Sequence, residues 1–71
     1  MKARIKKGYN QWYQRNVQEY LLIHEGDVVD VMDEVAHKGR FRIKVRYIGD
    51  FLGVSNTPIY GHIPPEYIEY I

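Results

Sequence analysis

The chain has 71 residues, with ten Lys and Arg against nine Asp and Glu, a net charge of +1 and no cysteine. That length has room for one domain, residues 1–71, which buries only about 60% of its unfolded surface, so the core is thin and a deep enclosed active site is hard to build. Disulfides and thiolate metal sites are excluded, the balanced charge does not call for nucleic acid, and no apolar run approaches the length of a membrane span.

The opening Met1-Lys2-Ala3-Arg4-Ile5-Lys6-Lys7 is basic but leads into no apolar stretch, so no export signal is expected and a cytoplasmic location is. Residues 3–7 alternate and read as a first strand, with Ala3 and Ile5 inward and Lys2, Arg4 and Lys6 outward. Residues 9–19 are polar and aromatic without a clean period, which suggests a long structured loop, with a short amphipathic helix as the weaker option. After the apolar Tyr20-Leu21-Leu22-Ile23 comes a turn signal, His24-Glu25-Gly26-Asp27. The β-branched residues 28–32 read as a second strand, and 33–39 as a charged loop closing on Gly39. Residues 40–47 alternate basic and apolar side chains, the mark of a half-buried third strand. Residues 49–58 are rich in turn formers, and 59–63 read as a fourth strand. Pro64-Pro65 then interrupts any ladder, because proline lacks the amide donor, and 68–71 form a fifth strand. Short strands with irregular joints and no long helix predict an all-β chain, a small five-stranded barrel.

Two segments carry a family resemblance. Residues 21–32, Leu-Leu-Ile-His-Glu-Gly-Asp-Val-Val-Asp-Val-Met, resemble the diverging turn and second strand of SH3 domains, and residues 61–71, Gly-His-Ile-Pro-Pro-Glu-Tyr-Ile-Glu-Tyr-Ile, resemble their C-terminus. The resemblance covers about a third of the chain and implies an SH3-like barrel with a long first (RT-type) loop and a 3₁₀ turn before the last strand. It also implies core roles for Leu21, Ile23, Val29 and Val31, an outward Asp30, and a ligand groove that includes Pro64 and Tyr67. Peptide-binding SH3 domains carry an Ala-Leu-Tyr-Asp-Tyr type first strand and a groove tryptophan at the start of the third strand. Here only scattered aromatics stand in the first region, strand phase puts Arg40 at the tryptophan position, and the joint between the third and fourth strands is longer. The chain looks more like the divergent SH3-like domains of bacteria and their phages than like these peptide-binding ones.

Three surfaces are candidates for binding. Tyr9, Trp12, Tyr13, Pro64 and Tyr67 would form one aromatic groove if the long loop folds over the C-terminal turn; equally, those aromatics staple the loop to a thin core. Arg40, Arg42, Lys44 and Arg46 share one strand face about 6.6 Å apart, and Lys2, Arg4 and Lys6 form a similar row, so either could track a phosphate backbone. The plainer reading is a solvated face balanced by Asp30, Asp33 and Glu34. Phe51-Leu52 in a glycine-bounded turn either docks on a partner or caps the barrel. Chemistry has little to build on. Ser55 and Thr57 have no histidine near in sequence, His24, His37 and His62 lie in separate segments without ligand spacing, and Gly26, Gly39, Gly49, Gly53 and Gly61 are dispersed. The expectation is a non-enzymatic module, taken as a monomer, that binds a protein or peptide through the aromatic groove. It requires no cofactor, metal or membrane. The alternative is a nucleic-acid-binding barrel using Arg40, Arg42, Lys44 and Arg46.

Overall fold

Alternation is cleanest over residues 40–47, and these form the first two thirds of the longest strand in the computed structural model, which describes Met1–Ile71. The elements run β1 (Lys2–Ile5), β2 (Asn10–Arg15), β3 (Gln18–His24), β4 (Val28–His37), β5 (Arg40–Phe51), β6 (Val54–Ile63), a 3₁₀ turn η1 (Pro65–Tyr67) and β7 (Ile68–Tyr70). Five strands make one antiparallel sheet in the order β6-β5-β4-β1-β7, while β2 and β3 pair with each other. The chain is all-β, as its pattern predicts. No ladder joins β6 to β7, so hydrogen bonding does not close the sheet into a ring.

Nine buried side chains form the core: Ala3, Ile5, Ile23, Val29, Ile43, Val45, Ile59, Ile63 and Ile68. Each comes from the inward phase of its strand. Leu21 departs from its expected core role and is 39% exposed. The cause is a bulge. Gln11 pairs with Ile23 but the next residue, Trp12, pairs with Leu21, so Leu22 is the extra residue in β3 and packs on the core in place of Leu21. Val31 packs against the core from a half-buried position.

Three segments expected as loops are strands. Residues 9–19 contain most of the β2–β3 hairpin, whose two faces are both largely exposed, so no inside–outside alternation marks it. Residues 33–39 continue β4 to His37, paired with β5 as far as Arg40. Their charged side chains lie beyond the core, and backbone pairing rather than packing makes them a strand. The expected long joint over 49–58 is instead a prolonged β5–β6 hairpin turning at Leu52-Gly53. Pro58 fits inside it because β6 is an edge strand, where a missing amide costs no ladder bond on the open side. Lys38-Gly39 and Leu52-Gly53 both have positive φ at both central residues (54° and 75°, 52° and 80°), the signature of the type I′ turns that suit twisted hairpins.

The turn between β3 and β4 ties the two sheets together. Asp27, 8% exposed, accepts the His24 amide at 2.9 Å, and Ile5 exchanges backbone hydrogen bonds with it and with Gly26. The hairpin then lies on β6 at Gly61. A Cβ there would stand 2.6 Å from Gln11 Oε1 and 3.0 Å from Ile23 Cδ1. Gln11 also donates through Nε2 to the Tyr60 carbonyl at 3.1 Å. Gly61→Ala therefore makes the Gln11 side chain swing aside and Ile23 and Ile63 give by a few tenths of an ångström, and a loss of about 1 kcal/mol is expected, measured by urea unfolding.

Candidate functional site

Tyr9 enters just ahead of β2, after Gly8, whose φ of 102° turns the chain away from β1 and whose amide donates to Glu25 Oε2 at 2.7 Å. This turn lays Tyr9 on Tyr67, with ring centroids 5.5 Å apart and planes tilted by 44°. Both rings are half-buried and pack on the core. Tyr67 is held by η1, where its amide donates to the Pro64 carbonyl at 3.0 Å and its own carbonyl accepts from Lys6 at 2.8 Å. Thus Tyr9, Pro64 and Tyr67 come together.

The other two aromatics of the expected groove lie elsewhere. Trp12 and Tyr13 are consecutive in β2 and so point to opposite faces of the hairpin. Tyr13 packs edge-on against Phe51 at 5.3 Å. Phe51 thereby folds back onto the hairpin, beside a recess of about 190 Å³ lined by Leu22, Pro58 and Tyr60 among others. Trp12 joins no aromatic pair and is 57% exposed.

The wall of the Tyr9–Tyr67 site comes from β5. The β5–β6 ladder ends with Ile43 opposite Ile63, so Arg42 and Pro64 are the next residues along their two chains, where proline has no amide to extend it. Arg42 is also the cation felt by Tyr9. Burial pushes the Tyr9 phenol above its ordinary value, and the Arg42 guanidinium pulls it partly back. The cation that acts on Tyr9 is Arg42, two residues on from the Arg40 that strand phase set at the tryptophan position.

Arg40, Arg42, Lys44 and Arg46 do share a face, opposite His37, Val35, Asp33 and Asp30 in turn. Asp33 and Glu34 belong to β4 rather than to a loop, and Glu34, opposite Ile43, faces the other way. Asp30 is the neutralising residue, 2.7 Å from Lys2 Nζ and 3.4 Å from Arg46 Nη2. A hydrogen bond from Lys2, with help from Arg46, holds its carboxyl below the usual value despite some desolvation. In the β1 row Arg4 meets Glu69 at 3.3 Å, so Lys2 and Arg4 are balanced. Arg40, Arg42 and Lys44 make no ion pair; Arg42 Nη1 donates to the Phe41 carbonyl at 2.8 Å, and Lys44 Nζ sits 5.7 Å from the centre of the Tyr60 ring.

A feature hidden in the linear order lies on this same face. His37 from β4 and His62 from β6 reach across β5 and stack with centroids 4.0 Å apart and planes 2° from parallel. His37 lies opposite Arg40 and His62 opposite Lys44, so the imidazoles flank the stretch holding Arg42. Only the paired registers reveal this, since the two residues are far apart in sequence. His24 stays separate, its Nδ1 3.1 Å from Asp27. Thr57 Oγ1 donates to the Val54 carbonyl.

The largest surface recess, about 560 Å³ between Met1, Val31, Met32 and Tyr70, shares no residue with the Tyr9–Tyr67 site, which is an open surface. No helix is long and apolar enough to cross a membrane. No family model matches this chain, and neither a curated protein nor a solved structure is significantly similar to it.

Burial, then His37 and Lys44, lowers the pKa of His62 from its ordinary value. The unfolded chain therefore takes up this proton more readily than the folded one, and stability falls as pH drops through the unfolded value of about 6.5. His62→Asn removes that term. Between about pH 7.5 and pH 5 its melting temperature, followed by circular dichroism, should fall less than that of the parent.

Proposed function

We propose that this chain is a non-catalytic, SH3-like binding module whose ligand surface is the Tyr9–Tyr67 pair, bounded by Pro64 and Arg42. The contact between the two rings carries the reading, because it joins a residue ahead of β2 to one in η1 over a surface otherwise made of β5. The strand order, the hairpin inserted between β1 and β4, and the 3₁₀ turn before β7 agree with an SH3-like frame. An open, half-apolar surface with hydroxyl rims suits an extended peptide better than a small molecule. The reading is narrower than the one drawn from the aromatics alone, since Trp12 and Tyr13 serve the hairpin rather than this surface. Arg42 in place of a tryptophan wall argues against a preference for plain proline-rich segments.

Selection from a random displayed peptide library tests it. Peptides enriched on the parent should bind Tyr9→Ala and Tyr67→Ala at least about tenfold more weakly, with amide spectra showing both variants folded. Enriched peptides that ignore both substitutions would remove the site.

A second reading draws support from one observation, the absence of ion pairs at Arg40, Arg42 and Lys44. Three cations on one strand face could follow a single-stranded nucleic acid. Its binding constant should then fall with salt at a log–log slope of about −2. Fluorescence anisotropy with a labelled oligonucleotide measures that slope, and no binding at low salt rules the reading out.

A further inference from the structure

Charge on the β4–β5–β6 face is not balanced internally. Two of the nearby acids are engaged or turned away, since Asp30 serves Lys2 and Arg46 and Glu34 faces the other side of the sheet; Asp33, opposite Lys44, makes no ion pair and its Oδ1 accepts the Glu34 amide at 2.8 Å, so Arg42 is a cation with no acid opposite it. Glu66 in η1 bridges to no cation. Arg42 has five N–H donors, of which one is engaged by the Phe41 carbonyl. The remaining fork matches a carboxylate, and its half-buried place beside Tyr9 and Pro64 strengthens such a pair. Arg40 and Lys44 extend this positive charge on either side of Arg42.

From this geometry we infer that the partner is an extended acidic peptide, one carboxylate of which pairs with Arg42 while its neighbours two residues away lie against Arg40 and Lys44. The spacing supports it. Alternate side chains of β5 and alternate side chains of an extended peptide repeat at the same distance, about 6.6 Å, so carboxylates at every second position match the row's spacing, with the peptide passing over the His37–His62 stack that crosses this face. Nucleic acid fits less well, because Tyr9 and Tyr67 are tilted against each other by 44° and half-buried on the core, rather than standing out as separate platforms for successive bases. The inference rests on the binding surface proposed above and adds the chemistry of its ligand.

Three probes separate the outcomes, each followed by backbone amide shifts at low salt: a capped peptide alternating glutamate with threonine, its glutamine counterpart, and oligothymidylate. The glutamate peptide should move the amides of Tyr9, Arg42, Lys44 and Tyr67 and bind roughly tenfold or more tightly than the glutamine peptide. Arg42→Gln should abolish that advantage while leaving the rest of the amide spectrum in place. Should that variant not fold, the double substitution Arg40→Gln with Lys44→Gln at exposed or half-exposed positions provides the same comparison. Equal affinity for the two peptides at these amides overturns the acidic partner and leaves the binding surface standing. Retention of the advantage in the folded Arg42→Gln variant, or in the double variant that replaces it, also overturns the inference. If neither peptide moves Tyr9 or Tyr67, both proposals fall. Tighter binding of oligothymidylate to the same cations replaces the acidic peptide by a nucleic acid.

Discussion

Ile23 lying over Gly61 joins the two sheets of this protein. Ile23 is fully buried, and the absence of a side chain at Gly61 lets the hairpin approach within contact distance of β6. Burying an isoleucine is worth about 2–3 kcal/mol, against a total stability of about 5–15 kcal/mol for a domain of ordinary size. With only nine core residues, this one contact is a large share of what holds the hairpin down. Tyr9 depends on it too, since the chain passes directly from Tyr9 into β2, and the ring reaches Tyr67 only while the hairpin is seated. The binding surface is thus a product of the joint between the sheets.

How far the fold was legible depended on burial. Residues 40–47 show strong alternation because one side of β5 is core and the other is solvent, and the inward phase of Ile43 and Val45 follows directly. Pro64 and Pro65 marked the end of the β6 ladder for a covalent reason, the missing amide, while the 3₁₀ turn that follows was implied by the SH3 resemblance. The hairpin of β2 and β3 and the outer halves of β4, β5 and β6 left no such trace. These strands are held by backbone hydrogen bonds beyond the core, and a pattern of side-chain polarity says little about backbone pairing. The bulge at Leu22 exchanged its role with Leu21 for a related reason, since a single extra residue reverses the phase and leaves the composition unchanged.

The site was legible in its parts and not in its assembly. Tyr9, Pro64 and Tyr67 were visible as candidates, and Arg42 was one of four cations with equal claims. What singles out Arg42 is a register, fixed by Ile43 with Ile63 and Lys44 with His62, and a register depends on the whole sheet. The imidazole stack of His37 and His62 was beyond reach for the same reason, as it arises from two strands that never pair with each other. Asp30 was the easier case. A carboxylate set outward on the strand beside a basic row has few places to go, and it bridges Lys2 and Arg46.

The two tight turns at Lys38-Gly39 and Leu52-Gly53 bear on the order in which the molecule assembles. They join β4, β5 and β6 into a meander in which every partner is close in sequence, so little chain entropy is spent in closing each loop. Pairing of β1 with β7 brings together the two ends of the chain, Ala3 with Tyr70, and must wait for most of the rest. The meander therefore needs only local contacts to set Arg40, Arg42 and Lys44 on their common face, whereas the Tyr9–Tyr67 contact, which spans the chain from Tyr9 to η1, needs long-range closure.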